Sequence, residues 1–471
     1  MSNLQTLLLS WCEDLKRLPT RLADLVNLRH LDIRGTPLKE MPPQMCKMRS
    51  LERLSDFVLG EKDSWRIKEL GEFPLLEGRL RISGLEYIVD VKDVLEANLK
   101  NKFLSQLILE WRWGGGGDSN ITSSQQDQER EVLEALRPHT NLKQLKIKGY
   151  RGTIFPDWVG HESFCNMVAV ELRNCRNVCM LPPLGQLSSL RALRIQWLNG
   201  VVSIGNEFCG SSSTATNHPF MSLESLRIYS MGSWEEWSFS SDRLGQEGGV
   251  FPSLTDLRIN ECKKLIGGLP DCPLPSLTKL RISSCSQMVG VFVCQSRQEM
   301  DTNAFSSLQY MSVIFCPRLE SLLGRHSIPS NLKDLAIWGC KRLWENRTNW
   351  GMERLPSLMR LYLKGREEEV DSFPEEGLLP TSLTGLSIFC FEKLKGLNGR
   401  AFQHLTSLQN LEIGYCGKLE CLPQEGLPLS LSRLYIEGCP EVLKQRCQSG
   451  TGEDWPKIQH IPNMVIRNKT N

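Results

Sequence analysis

Leu408 to Pro423 reads LQNLEIGYCGKLECLP, with apolar side chains at Leu408, Leu411, Ile413, Leu419 and Leu422 and a cysteine, Cys416, between Ile413 and Leu419. The same skeleton stands near the start of the chain as Leu4, Leu7, Leu9, Cys12, Leu15, Leu18 and Pro19. It returns as Met167, Val170, Leu172, Cys175, Val178, Leu181 and Pro182, and again as Leu254, Leu257, Ile259, Cys262 and Leu265. In the last third it starts at Leu254, Leu277, Leu308, Leu332, Leu358, Leu383, Leu408 and Leu431, in steps of 23, 31, 24, 26, 25, 25 and 23 residues. Apolar positions two apart belong to a strand with one buried face. A repeat of this length leaves room for that strand and one short return segment.

Self-similarity with this spacing is the signature of leucine-rich repeats. The fold expected is an α/β repeat solenoid, a horseshoe with a parallel β-sheet on its concave face and irregular or short helical return segments. A solenoid core lengthens with each repeat instead of thickening, so 471 residues need not divide into the usual compact domains. Lys and Arg number 56 against 54 Asp and Glu, and a net charge of +2 selects no class of partner. The 17 cysteines resolve into a pattern: Cys12, Cys175, Cys262, Cys285, Cys316, Cys340, Cys416 and Cys439 share one repeat position just after the strand. A small, apolar, weakly donating thiol suits an inward slot there. No CxxC and no paired Cys/His spacing suggests a metal, and reduced thiols imply a cytoplasmic or nuclear compartment. No stretch has the apolar length of a membrane span.

The expected organisation is an N-terminal array over residues 1–90, irregular repeats over 91–140 and a C-terminal array with its cap over 141–471. Repeat sequence follows Met1 directly, without a polar capping unit, so the chain reads as a piece of something longer on its N-terminal side. Val91 to Lys102 carries Val91, Val94, Leu95 and Leu99 at helical spacing and predicts a return helix. The polar, glycine-rich run 114–128 predicts a disordered loop, and Glu131 to Leu136 a short helix. Further insertions at 205–218, 238–249 and 294–303 read as surface loops. The acidic run at 367–369 reads as a solvated return segment. Asp454 to Ile458 and Ile461 to Ile466 read as a final turn, strand and cap.

Catalytic chemistry finds no footing. The seven histidines are scattered, no GxSxG or HExxH occurs, and no GxxxxGK[ST] phosphate loop exists. The chain therefore reads as a non-enzyme, with neither cofactor nor metal. LRHLDIRGTPLKEMPPQM at 28–45, VLEALRPHTNLKQLKIKGY at 132–150 and GEDWPKIQHIP at 452–462 resemble the repeat region of plant nucleotide-binding leucine-rich-repeat disease-resistance proteins of the coiled-coil subclass. That resemblance implies a plant-defense role, with repeats that recognise a pathogen effector or a guarded host protein and restrain an upstream switch. ADP or ATP is expected only in a longer parent carrying that switch, whose phosphate loop is absent from this sequence. The runner-up reading is the substrate-recognition module of a ubiquitin ligase, but no F-box-like helical segment supports it.

Two surfaces stand out on outward strand positions. The first is a basic ladder of Lys146, Lys148, Arg173, Arg194, Arg227, Arg258 and Arg281, interrupted by Glu171. Like charges stacked on neighbouring strands repel, so the ladder calls for an acidic counter-surface. Nucleic acid is the weaker partner, because only Trp197 and Tyr229 interleave the arginines. The second is an aromatic patch of Tyr310, Ile314, Trp338, Tyr362, Phe389 and Tyr435, residue types that anchor protein interfaces.

Overall fold

Parallel strands recur at every expected position of the computed structural model, which describes residues 3–62, 64–112, 122–210, 218–240, 249–270, 272–292, 305–323, 328–366, 368 and 370–467. Contacts gather into two compact units, Met1–Trp234 and Glu235–Asn471.

The first unit opens with strands Thr6–Leu8, His30–Asp32 and Arg53–Leu54, aligned so that Leu7 faces Leu31 and Leu31 faces Leu54. At Ser55 the chain passes from this sheet into a second one. The Ser55 hydroxyl accepts the Ile33 N–H at 2.8 Å, while its carbonyl accepts the Arg81 N–H at 3.0 Å and the Arg79 guanidinium at 2.8 Å. From there strands Asp56–Val58, Gly78–Ser83, Leu104–Glu110, Gln144–Lys148, Ala169–Arg173, Ala192–Gln196 and Ser225–Tyr229 pair in parallel, each with the next. The second unit repeats the plan with strands Asp256–Asn260, Lys279–Ser283, Tyr310–Ile314, Asp334–Trp338, Arg360–Lys364, Gly385–Phe389, Asn410–Gly414, Arg433–Glu437 and Asn463–Arg467.

In both units the second and fourth residues of each five-residue strand form the core. Leu145, Val170, Leu193 and Leu226 make one inward row of the first unit, and Ile147, Leu172, Ile195 and Ile228 the next. All are essentially buried. Each such side chain contributes about 1.5–3 kcal/mol by leaving water. The residue after the strand takes a left-handed backbone in repeat after repeat: Asn174, Trp197, Ser230, Glu261, Ser284, Phe315 and Tyr415, with Gly149, Gly339 and Gly438 at the same position. That reversal turns the following side chain inward, which is the cysteine slot.

Cys175, Cys262, Cys285, Cys316, Cys340 and Cys416 are buried as expected. Their Sγ atoms donate to the carbonyl two residues back at 3.4–3.5 Å, as Cys340 does to Trp338 and Cys416 to Gly414. Burial pushes the Cys175 thiol up to about 12, so it remains a packed, unreactive thiol. Cys439 is only half-buried. Cys12 departs from the expectation and is exposed, because the first repeat of this chain has a neighbour on one side only. Leu8 and Trp11 beside it are likewise 68% and 74% exposed.

Return segments differ from the sequence reading in four places. The helix expected over Glu131 to Leu136 begins earlier, as Ser123–Ala135, within the run 114–128 expected as a disordered loop; residues 113–121 lie outside the described residues. Its start is a capping box, in which the Thr122 hydroxyl accepts the Gln125 N–H and the Gln125 side chain accepts the Thr122 N–H at 3.0 Å. Asn206–Cys209, expected in a loop, is a short helix that buries Phe208 and Cys209. The remaining loop stretches 211–217, 241–248 and 293–304 lie outside the described residues. Glu368, expected in a solvated acidic run, is buried and accepts the Arg366 N–H; residues 367 and 369 are not described. The helix expected over Val91 to Lys102 forms over Val91–Glu96, capped by the Asp90 carboxylate at 2.9 Å, and stops where Asn98 takes a left-handed backbone before the short turn Leu99–Asn101.

Lys102 follows that helix and is only 3% exposed, its Nζ donating to the Phe73 carbonyl at 2.9 Å. Burial pushes its ammonium down to about 8, below the usual 10.5. The resulting strain is fully present below pH ~8 and is relieved as pH rises toward the unfolded-state value of ~10.4. Lys102→Met removes a desolvation cost of about 3 kcal/mol and forfeits one hydrogen bond of about 1 kcal/mol. The variant is expected to melt higher than the parent at pH 7, with the gap narrowing by pH 10. A parent that melts higher at pH 7 would rule this balance out.

Candidate recognition surfaces on the sheet face

Inward packing of the second and fourth residues leaves the first, third and fifth to point away from the core, as the alternating burial of strands such as Ala169–Arg173 records. In the first unit the third row runs Lys146, Glu171, Arg194, Arg227, and the fifth runs Lys148, Arg173, Gln196, Tyr229. Five of the seven ladder residues thus meet on four consecutive strands. Lys146 pairs with Glu171 at 2.9 Å. Arg173 lies over the Trp197 ring at 5.0 Å, and Arg194 over Tyr229 at 5.1 Å while donating to Gln196 Oε1 at 3.2 Å.

Beside the third row, the first-row residues Ala169, Ala192 and Ser225 are small, and a shallow trough runs along them. Burial lowers the Lys148 ammonium below its ordinary value. The carboxylates of Glu110 and Glu171 oppose that shift, while Arg81 and Lys146 add to it. Burial raises the Glu171 carboxyl, but the Lys146 hydrogen bond and the surrounding cations outweigh it and hold the group below its ordinary value. Further along the same face, Asp56 and Glu110 serve Arg81 at 3.3 and 2.5 Å.

In the second unit Arg258 and Arg281 occupy neighbouring third-row positions and share one carboxylate. Asp256 contacts Arg258 at 2.9 Å and Arg281 at 3.4 Å, and Arg281 also lies over Tyr310 at 5.0 Å. The expected stripe of one sign is therefore partly neutralised from within. The first-row acid that does it, Asp256, was not among the candidates, although its place two residues before Arg258 on one strand face made it legible.

The aromatic patch gathers in part. Ile314 faces Trp338, Trp338 faces Lys364 and Lys364 faces Phe389 along the fifth row, with Lys364 Nζ 3.9 Å from the Trp338 ring centre. Tyr362, 40% exposed, stacks on Phe389 at 5.7 Å. Tyr310 sits apart under Arg281. Tyr435 also stands apart, facing Glu412 and donating its hydroxyl to Glu437 at 2.7 Å. Phe315 joins the cluster at 4.5 Å from Trp338, with Arg366 over its ring at 5.3 Å. It occupies the left-handed position just before the cysteine slot, which alternation along the strand does not reach.

Among the described residues no group of three or more His, Cys, Asp or Glu is placed to hold a metal ion, and no helix is long and apolar enough to cross a membrane. What the two faces offer is non-covalent: fixed cations beside a trough on one unit, and an aromatic cluster with a lysine at its centre on the other.

Residues 67–198 match the sequence family described as R13L1/DRL21 LRRs. The chain is built of leucine-rich repeats, and this stretch of them is similar to the R13L1/DRL21 type. Over 289 residues it is 42% identical to a putative disease resistance protein of Arabidopsis thaliana, covering 58% of this chain and 20% of that one. Over 469 residues it is 32% identical to the putative disease resistance protein RGA4 of Solanum bulbocastanum, covering 93% of this chain and 39% of that one. The putative disease resistance RPP13-like protein 1 of Arabidopsis thaliana is 40% identical over 219 residues, 45% of this chain and 20% of that one. The chain thus spans between a fifth and two fifths of the length of these relatives. Among solved structures, a leucine-rich-repeat protein of Leptospira interrogans aligns with 16% identity and a TM-score of 0.40, over 99% of this chain and 96% of that one. The mouse RP105/MD-1 complex aligns with 14% identity and a TM-score of 0.44, over 100% of this chain and 68% of that one.

Proposed function

We propose that this chain is the protein-recognition region of a plant intracellular immune receptor, acting in the cytoplasm or nucleus without catalysis. Its repeats bind a pathogen effector or a guarded host protein and restrain a nucleotide-binding switch carried by a longer parent, where any ADP or ATP resides. The observation that carries this reading is the relation to a disease-resistance protein over 93% of the chain. The two sheet faces with their outward cations and aromatics support it, since arginine and aromatic side chains are the residue types that concentrate binding energy at interfaces. Sequencing the full-length transcript tests the receptor: an in-frame GxxxxGK[ST] motif upstream is expected, and a transcript without one overturns the reading.

The aromatic cluster carries its own expectation. Trp338→Ala and Tyr362→Ala each remove outward rings without touching the inward leucines. Each should weaken binding of a protein partner by 10-fold or more, about 1.4 kcal/mol, with an unchanged circular dichroism spectrum. Unaltered affinity in both variants removes this cluster from the recognition surface.

A further inference from the structure

We propose that the first unit's sheet face, over strands Gln144–Lys148 to Ser225–Tyr229, binds an extended acidic segment of a separate protein, laid across the strands in the trough beside Ala169, Ala192 and Ser225. This rests on the recognition reading above and names the chemistry of the partner.

The charge balance of the face is the first argument. Its outward positions hold five cations, Lys146, Lys148, Arg173, Arg194 and Arg227, and one carboxylate, Glu171. The whole chain is nearly neutral at +2, so this is a local concentration. On the strand Gly78–Ser83 of the same sheet the cations are matched: Arg79 and Arg81 have Asp56 at 3.5 and 3.3 Å, and Arg81 has Glu110 as well. Lys146 has Glu171. Lys148, Arg173 and Arg194 form no ion pair among the described residues. Lys148 faces Arg173 directly, and Arg173 faces Gln196, two residues beyond Arg194 on its strand. Neighbouring parallel strands lie about 4.8 Å apart, so the three residues sit on strands that together span about 10 Å. Folding has brought like charges together, and Glu110, facing Lys148, and Glu171, facing Lys146 and Arg194, offset them only in part.

Orientation is the second argument. The Arg173 and Arg194 guanidinium groups lie over the Trp197 and Tyr229 rings. Stacking fixes the plane of each and leaves N–H groups at its edge, the geometry that receives a carboxylate in two parallel hydrogen bonds. Less side-chain entropy remains to be lost when such a group binds. The trough supplies space for the backbone that carries those carboxylates, because three small first-row residues stand where larger ones would block it.

The same stacking argues against a nucleic acid. Proteins hold single strands largely by stacking bases on aromatic faces. Here the two aromatics that interleave the cations already carry guanidinium groups on their faces. A phosphate chain could use the charge and the fork geometry but would lose the base stacking, whereas an acidic peptide needs no free aromatic face.

Fluorescence anisotropy with the full chain and a labelled eight-residue peptide of alternating Glu and Ser tests the proposal. The comparison ligands are the Gln/Ser peptide and a single-stranded RNA of equal net charge. The acidic peptide should bind at low salt and weaken as salt rises, and the Gln/Ser peptide should not bind. Arg173→Gln and Arg194→Gln should each reduce affinity about 5- to 10-fold. Arg342→Gln, at an exposed ion pair with Glu320 on the other unit, should leave it unchanged. Circular dichroism confirms that the variants are folded. No binding of the acidic peptide, equal binding of the Gln/Ser peptide, insensitivity to both substitutions, or RNA binding at least as tight with the same sensitivity would each overturn the proposal. Failure here with an upstream phosphate-loop motif present in the transcript rejects only the acidic segment. A transcript without that motif rejects the receptor reading and leaves a measured peptide affinity standing.

Discussion

Leu411→Asp is expected to unfold several repeats of the second unit. Leu411 is fully buried, the second residue of strand Asn410–Gly414, and stacks between Leu386 and Leu434 on the flanking strands. Losing its apolar side chain costs about 2–5 kcal/mol. Bringing a carboxylate into the same row, with leucines on both sides, adds several kcal/mol more, whether it is paid as a buried charge or as a raised pKa. Each repeat contacts mainly its neighbours, so the damage spreads along the array without melting the whole chain at once. Reduced ellipticity and new protease cuts within about one repeat on either side of Leu411 are the expected result. Glu412→Gln, one residue further on, points outward, where Glu412 accepts a hydrogen bond from Ser387 at 2.9 Å. It should change stability by no more than about 0.5 kcal/mol. Equal tolerance of the two substitutions would show that the inward register is wrong.

That one-residue contrast also marks what the sequence could tell. Alternating leucines fix the strands, their direction and their inward rows, because a shift of one residue would expose every leucine in a row. The cysteine slot was legible for the same reason: one residue type recurs at one distance from the strand. Return segments were harder. The polar run before Arg130 reads as a loop by composition, and only the Thr122/Gln125 capping box announces the helix that starts there. The surfaces were legible as residues on a face and illegible as contacts. Alternation gives Arg173 and Arg194, but their pairing with Trp197 and Tyr229 depends on the left-handed turn and on which strand lies beside which. Phe315 was missed because it follows the strand, where the two-residue period no longer applies.

Asp454 shows how a motif recognisable by its wording acquires a physical reason. It stands in the GEDWPKI phrase near the end of the repeats, and its side chain is fully buried. Oδ2 accepts the Leu422 N–H at 2.9 Å and Arg446 Nε at 3.1 Å, while Oδ1 accepts Arg446 Nη2 at 3.2 Å and Lys457 Nζ at 2.7 Å. One carboxylate therefore joins the helix Glu441–Arg446, the turn Trp455–Lys457 and the backbone of the repeat before them. Burial alone would raise its pKa, but the bonds from Arg446, Lys457 and the Leu422 N–H outweigh that and hold it below the usual 3.8. A carboxylate with a depressed pKa contributes stability that is fully present above the unfolded-state value and is lost as pH falls through the folded value. For Asp454 that window opens below about pH 4. Asp454→Asn cannot bind both cations as an anion, and Asp454→Ala also strands the buried Leu422 N–H. Breaking a buried ion pair in this way costs about 3–5 kcal/mol. At pH 7, Asp454→Ala should therefore expose the amides of Leu422 and of strand Arg433–Glu437 to rapid hydrogen exchange, while strand Asp334–Trp338, several repeats away, keeps its protection. The parent and Asp454→Asn should converge in stability as pH is lowered toward 2. Unchanged exchange at Leu422 in the alanine variant, or a stability gap that persists undiminished at pH 2, would show that the clasp is not what holds the terminal repeats in place.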